Sequence, residues 1–162
     1  MSVFVCGKIQ LDTIDDLDLL QLRELAFQWQ GYANKHKLGF ILGAYAKNAQ
    51  TIIDEDKDSF LFEITDAPFE ETAETLFCPD GIEIDGTKQL CSLEERVRLI
   101  ESFLYKVFSN KKVLSVTLFV NYMLECAGSI QGIKLSQFLS SISNEYKKSN
   151  GYTPSVAYTI QR

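Results

Sequence analysis

The hydrophobic period of the last third of the chain changes repeatedly, and this alternation restricts the fold more than any other sequence feature. Apolar residues follow helical spacing in 93–108, alternate with polar residues in 113–121, return to helical spacing in 135–146 and alternate again in 156–160. A period near 3.6 indicates an amphipathic helix, and a period of two indicates a half-buried strand. The pattern predicts a helix, a strand, a helix and a closing strand. A strand–helix–strand order favours a parallel strand pair with a right-handed connection.

Strand and helix patterns also occupy the first part of the chain. Residues 3–9 and 59–65 are rich in apolar and β-branched side chains and are predicted to be strands. Thr13 and Asp16 have the spacing of a helix start, and apolar residues at helical spacing follow to about residue 30. The segment 38–53 fits either a strand or a second helix.

The length and composition predict a single globular domain over residues 1–162. With 162 residues, of which 46% are hydrophobic, the chain is long enough to bury one sizeable core. The order of elements predicts an α/β or α+β fold in which a mixed β-sheet packs against about three main helices. The segment 128–132, Gly-Ser-Ile-Gln-Gly, is predicted to be a flexible loop between a strand and a helix.

The sequence also predicts a cytosolic protein without membrane contact. Residues 1–10 lack the basic region and apolar run of a signal peptide, and the uncharged apolar stretch 113–124 is much shorter than the ~20 residues that span a bilayer. In the cytosol the cysteines are expected to be reduced thiols. They are scattered, without the paired spacing of a zinc site, at Cys6, Cys78, Cys91 and Cys126.

Charge is distributed very unevenly along the chain. Residues 54–85, hereafter the acidic window, contain twelve acidic residues and one base, Lys57, a net charge of −11. The other 130 residues contain ten acids and fifteen bases, a net charge of +5. Such a separation of charge indicates what a protein binds more than how it folds. The dominant negative charge argues against direct binding of nucleic acid.

The acidic window begins with a pattern that only partly matches a calcium-binding loop. Asp54, Asp56 and Asp58 occupy the first three ligand positions of such a loop. However, Ser59 stands where the tight turn requires glycine, and Thr65 stands where a bidentate glutamate belongs. We therefore predict no metal and no cofactor.

No catalytic residue is assigned from the sequence. His36 lies between two lysines without an orienting carboxylate or nucleophile in the pattern, which indicates an exposed helix end. Ser129 lies between glycines whose spacing differs from that of a nucleophile elbow. Cys126 would be a nucleophile only if its pKa were lowered by its surroundings. The chain is accordingly predicted not to be an enzyme.

In its size, its acidity and its acidic window, the chain resembles the immunity proteins that accompany bacterial polymorphic toxins and contact-dependent growth-inhibition toxins. The resemblance implies a cytosolic binding protein that neutralises a basic toxin by occlusion. A nuclease is the expected toxin, because nucleases carry positive charge in order to hold phosphate.

The predicted contacts with this basic partner are acidic side chains of the window. Complementary charge accelerates association, and exposed aromatic side chains commonly anchor interfaces. The aromatic residues Phe60, Phe62, Phe69 and Phe77 are therefore expected to be anchors wherever they are exposed. The predicted partner-binding acids are Asp54, Glu55, Asp56, Asp58, Asp66, Glu70, Glu71 and Glu74.

Two alternatives belong to other classes of protein. An acidic chaperone of the kind that serves secretion systems would bind a partner segment, here through the helix 19–29 and the strand 113–121. An enzyme would require carboxylates or Cys126 gathered in a cleft.

Overall fold

The computed structural model describes residues 5–35, 40–44, 59–66, 82–84, 87–89, 93–120, 128–149 and 155–162. These residues form eight strands, three α-helices and one short 3₁₀ helix. In chain order the elements are β1 (Val5–Leu11), α1 (Asp16–Lys35), β2 (Phe40–Ala44), β3 (Ser59–Asp66), β4 (Ile82–Ile84), β5 (Thr87–Gln89), α2 (Leu93–Val107), β6 (Val113–Val120), β7 (Gly128–Lys134), the 3₁₀ helix Leu135–Gln137, α3 (Phe138–Lys148) and β8 (Val156–Gln161).

Six of these strands form one mixed sheet in the order β2-β3-β1-β6-β8-β7, and β4 and β5 form a separate hairpin. The pairs from β2 through to β8 are antiparallel, whereas β7 and β8 are parallel. The prediction of a mixed sheet with three main helices is confirmed, and the fold is α+β.

Two buried rows of side chains cross the centre of the sheet. The first row joins one apolar residue from each of four adjacent strands, all of them fully buried: Phe60, Ile9, Val116 and Ile160. The second row lies one pleat further along and comprises Phe62, Gly7, Leu118 and Tyr158. These rows define the face of the sheet that the helices cover.

The three helices contribute to the same buried cluster as this face of the sheet. Phe103 of α2 meets the ring of Phe62 edge-on, with 5.5 Å between the ring centroids. Phe138 of α3 meets Tyr158 in the same manner at 6.0 Å, and burial raises the pKa of the Tyr158 phenol. Leu22 of α1 is also buried in this cluster. Each aromatic contact is of the edge-to-face kind that rings favour.

The opposite face of the sheet carries polar side chains at its centre. Lys8 lies across from Thr117 in the strand register, and Thr117 lies across from Thr159. The two threonine hydroxyls are 3.1 Å apart and share a hydrogen bond. The alternation of apolar and polar residues in β6 is thus the alternation between these two faces.

The predicted parallel pair of strands 113–121 and 156–160 is wrong. β6 and β8 are antiparallel, and the parallel neighbour of β8 is β7. The prediction failed because β7 was expected to be a flexible loop, so that the chain reversal before α3 was missed. The helix α3 does connect two parallel strands, but the first of them is β7.

β7 was difficult to recognise because its sequence is unlike that of a buried strand. It contains two glycines and lies at the edge of the sheet, with Ile133 buried and Ile130 half-buried. The register to β8 shifts between Ile130 and Ile133, and Gly132 in this bulge has φ +69°. A glycine with positive φ is typical of a β-bulge, and a bulge blunts an exposed edge.

The cap of the first helix lies two residues later than predicted. Asp15, and not Thr13, precedes the first helical residue. The Asp18 backbone N–H donates to Asp15 Oδ1 at 2.8 Å, and the Asp15 N–H donates to Asp18 Oδ2 at 3.1 Å. This reciprocal arrangement is a capping box made from two aspartates, and it satisfies two backbone donors that the helix itself leaves unpaired.

We predict that Gly7→Ala destabilises the protein by about 1–3 kcal/mol, the usual range for overpacking a core. A Cβ at Gly7 would overlap the ring of Phe62, and this ring is held in turn against Phe103. Gly128→Ala in β7 is the matched control, because the nearest atom to its added Cβ is Val156 Cγ2 at 3.8 Å. Urea unfolding should separate the two variants, and equal destabilisation would contradict this account.

Candidate functional site

Of the eight predicted partner-binding acids, the structure describes only one. Asp66 is the last residue of β3, and the other seven predicted acids lie outside the described residues. His36, Cys78, Cys91 and Cys126 also lie outside them. Ser129 is exposed in β7, where its Oγ accepts a hydrogen bond from Gln131. Phe60 and Phe62 are buried and therefore do not serve as interface anchors.

The strand order nevertheless fixes where the acidic window joins the sheet. β3 belongs to the window and lies beside β1, towards the β2 edge. Residues 93–162 form β6, β8 and β7 on the other side of β1, and this segment carries nine bases and five acids. β3 of the acidic window and the strands β6, β8 and β7 therefore lie on opposite sides of β1.

A polar cluster at the start of α1 connects three parts of the chain. Lys112, in the turn before β6, donates from Nζ to Asp18 Oδ2 at 2.8 Å and to Asp15 Oδ2 at 3.2 Å. Asn110 donates from Nδ2 to Asp18 Oδ1 at 3.1 Å. Arg162 donates to the backbone carbonyl of Asn110 at 2.8 Å. The cluster thus links the start of α1, the α2–β6 turn and the residue that follows β8.

Asp18 is the electrostatic centre of this cluster. Its side chain is only 7% exposed. Burial on its own raises the pKa of the Asp18 carboxyl, but hydrogen bonds from Lys112, the Asp15 backbone and Asn110 outweigh burial and lower the pKa to about 2. The Lys112 pKa is raised, first by its hydrogen bond to Asp18 and then by that to Asp15.

This arrangement is suited to holding elements together and not to proton transfer. A carboxyl with a pKa near 2 remains ionised at neutral pH, and a lysine with a raised pKa remains protonated. General acids and bases require a pKa close to the working pH. Both Asp18 oxygens already accept hydrogen bonds, so we assign the cluster a structural role.

An open groove of about 660 Å³ lies beside this cluster, between α1 and the end of α2. Its volume is within the range of ligand pockets. Its lining contains both signs of charge, from Glu24 and Lys106, and its most buried carboxylate, Asp18, is already paired with Lys112. The groove therefore presents no single charge for a ligand. Its other lining residues are Gln21, Leu22, Leu25, Gln28, Val107, Ser109 and Asn110.

A second open groove runs along α2 beside the 3₁₀ helix and contains Glu101. Burial raises the pKa of Glu101, although the carboxylate accepts a hydrogen bond from the Leu139 N–H in the first turn of α3. A raised pKa in a groove can indicate a general acid. Here the neighbouring Ser102 hydroxyl donates to the Arg98 carbonyl at 3.0 Å, so Ser102 and Glu101 do not form a nucleophile–base pair. Capping of α3 is the role that the Glu101 contact supports.

The outer face of α1 exposes apolar side chains that do not belong to the predicted apolar face of this helix. Leu17, Leu20 and Phe27 are 61%, 52% and 78% exposed. The predicted apolar face of this helix is buried at Leu22 and Ala26, so α1 is apolar on two opposite sides. The available signal was the spacing of Leu20 and Phe27, which are seven residues apart and thus two helical turns apart on one line.

The described residues contain no group of three or more histidine, cysteine or acidic side chains placed to hold a metal ion. Within the same ranges, no helix is long and apolar enough to cross a membrane. Comparison of the chain with protein-family models, curated proteins and solved structures found no match.

We predict that Asp18→Asn lowers the free energy of unfolding by about 1–3 kcal/mol, because it removes the buried charge that Lys112 and Asn110 bind. Asp16→Asn is the control, since Asp16 is an exposed neighbour in the same turn. Its effect should be about 0.5 kcal/mol or less. Urea unfolding of both variants at neutral pH measures the difference, and equal effects would contradict the role assigned to Asp18.

The contribution of Asp18 should also depend on pH. Its folded-state pKa of about 2 lies below the ordinary value of 3.8. The stabilisation is therefore fully present above about pH 4 and is lost as the pH falls towards about 2. We expect the stability difference between the wild type and Asp18→Asn to shrink over this interval. A difference that stays constant down to pH 2 would show that the ionised carboxylate is not responsible.

Proposed function

We propose that this chain is a cytosolic binding protein that neutralises a basic toxin, with a nuclease as the expected toxin, by covering the surface that the toxin uses. The observation that carries the proposal is the acidic window, with twelve acids and one base in residues 54–85. Such a concentration of like charge opposes compact folding through self-repulsion. A cationic partner would offset that repulsion and would give a reason for the charges to be grouped.

The position of β3 supports this proposal. β3 belongs to the acidic window, and its Phe60 and Phe62 side chains are part of the central buried rows. The window is therefore joined at this strand to the buried core that the described residues form. Rigid scaffolds present binding residues at a low entropic cost, and a strand within the sheet is such a scaffold for the acids that precede and follow it.

The polar cluster and the two grooves also favour binding over chemistry. Asp18 and Lys112 neutralise each other, and Glu101 is engaged by the first turn of α3. In the part of the chain that the structure describes, neither groove brings a nucleophile and a base into hydrogen-bond contact. The proposed activity therefore requires occlusion of a partner and no reaction on this chain.

The mechanism proposed is electrostatic steering followed by close contact. A negative surface attracts a positive partner and can raise association rate constants to ~10⁸ M⁻¹s⁻¹ or more at low salt, against ~10⁵–10⁶ M⁻¹s⁻¹ for neutral surfaces. A basic nuclease surface covered in this way would no longer reach its phosphate substrate. The predicted contacts remain the eight acids named from the sequence, of which Asp66 is the last residue of β3.

Affinity capture from the organism that encodes the chain would test the proposal with three baits. One is the wild type, and the second has the window substitutions Asp54→Asn, Asp56→Asn and Asp58→Asn. The third is a charge-matched control with three exposed acids outside the window neutralised: Asp12→Asn, Asp16→Asn and Glu94→Gln. The wild type and the control should retain one basic protein in equimolar amount, and the window variant should retain less.

The rate of association with the purified partner gives the quantitative result. We expect the window variant to associate at least about tenfold more slowly than the control at low salt, with a weaker dependence on salt. The partner should be toxic to cells that lack this chain. Equal rates for the two variants would overturn the role of the window. Salt-insensitive capture of several unfolded proteins would favour a chaperone, and β6 could not supply its binding edge because both of its edges are paired.

A further inference from the structure

The outer face of α1 exposes large apolar side chains, as surfaces that contact other proteins commonly do. Leu20 and Phe27 are separated by seven residues, so they project within about 20° of each other around the helix axis. Both are more than half exposed, although they are large and apolar. The buried side of the same helix supplies Leu22 and Ala26 to the core, whereas neither Leu20 nor Phe27 belongs to the buried cluster that the described residues form.

Two opposite charges flank this line on its two sides. Arg23 follows Leu20 by three positions and Glu24 follows it by four, which places them about 60° to one side and about 40° to the other. Both residues are exposed. They border a shallow surface depression of about 530 Å³ together with Phe27 and Gln28. The line Leu20–Phe27 thus has a positive margin and a negative margin at the same height.

We propose that α1 binds α1 of a second copy of this chain, with the two helices parallel about a two-fold axis. In this arrangement Leu20 meets Leu20 and Phe27 meets Phe27 along the centre. The positive margin of each helix faces the negative margin of the other, so that Arg23 lies across from Glu24 of the second copy on both sides. The surface is complementary to itself, as an interface between identical subunits requires.

The charges select the parallel orientation over the antiparallel one. An antiparallel pair about the same line would place the two Arg23 margins together and the two Glu24 margins together. Like charges in juxtaposition are unfavourable at an interface. A parallel pair also suits the seven-residue spacing of Leu20 and Phe27, since each of these residues, two helical turns apart, then meets its own equivalent.

This interface is separate from the proposed function of the acidic window, because it uses α1 and requires no partner protein. The assembly state of the purified chain tests it directly, by sedimentation equilibrium over a wide range of micromolar concentrations. The variants are Leu20→Ser and the control Leu114→Ser, which alters a leucine of β6 that is 53% exposed, against 52% for Leu20. The two substitutions remove leucines that are equally exposed. A general effect of lower surface hydrophobicity on self-association would therefore be the same in both variants.

The wild type and Leu114→Ser should form dimers, and Leu20→Ser should raise the dimer dissociation constant at least about tenfold. Reversal of one charge, as Arg23→Glu or as Glu24→Arg, should also weaken the dimer about tenfold. Each change would replace the two pairs of opposite charges across the interface by two pairs of like charges. The double variant Arg23→Glu, Glu24→Arg should restore it. Folding of each variant is checked by its thermal unfolding midpoint.

A monomeric wild type at all concentrations would overturn the proposal. So would a dimer that Leu20→Ser leaves intact, or one that Leu114→Ser weakens as much as Leu20→Ser does. Failure of the double charge reversal to restore a dimer that both single reversals weaken would overturn the parallel pairing of Arg23 with Glu24.

Discussion

The position of β1 between β3 and β6 determines where the rest of the molecule lies. β1 pairs with both strands along nearly its whole length, and its residues Ile9 and Gly7 each belong to one of the two buried rows. The two pairings join segments about 50 and 100 residues away in sequence. Pairings of such separation fold slowly, because loop-closure entropy is lost before contacts compensate for it. The same pairings place β3, a strand of the acidic window, and β6 on either side of β1.

Gly7 shows how closely this pairing is fitted. The ring of Phe62 occupies the space that any side chain at position 7 would need, and the ring then reaches Phe103 of α2. Covering a strand glycine with an aromatic ring from the neighbouring strand compensates for the weak packing of glycine in a sheet. The ring of Phe62 in β3 thus contacts both β1 and α2, and it connects the sheet to the helices that cover it.

The sequence predicted the strands and helices with strong periodicity and failed where local patterns were weak. β3, β6, β8 and α2 were expected at nearly their observed bounds, because each has one clearly apolar face. β7 was missed because it has two glycines, a bulge and little buried surface. The order of strands could not be derived, since pairing depends on contacts between distant segments that periodicity does not encode.

The polar cluster was missed for the same reason. Asp15 and Asp18 lie near the predicted start of a helix, but nothing in their neighbourhood in the sequence indicates Lys112 or Asn110 as partners. The acidic window was visible from composition alone, whereas the exposed line on α1 was hidden by the apolar residues of the opposite side. Composition therefore indicated where charge is concentrated in the sequence, but it did not indicate which side chains contact each other in the fold.

The place of β8 in the sheet has a consequence for synthesis of the protein. β8 lies between β6 and β7 and is the only strand with which β7 pairs in the described sheet. Until residues 156–161 have left the ribosome, β6 keeps a free hydrogen-bonding edge and β7 has no strand to join. An unpaired edge of a largely apolar strand is a template for aggregation. A nascent or truncated chain that ends before β8 should therefore be a substrate for chaperones and proteases, whereas in the complete sheet β8 covers this edge of β6.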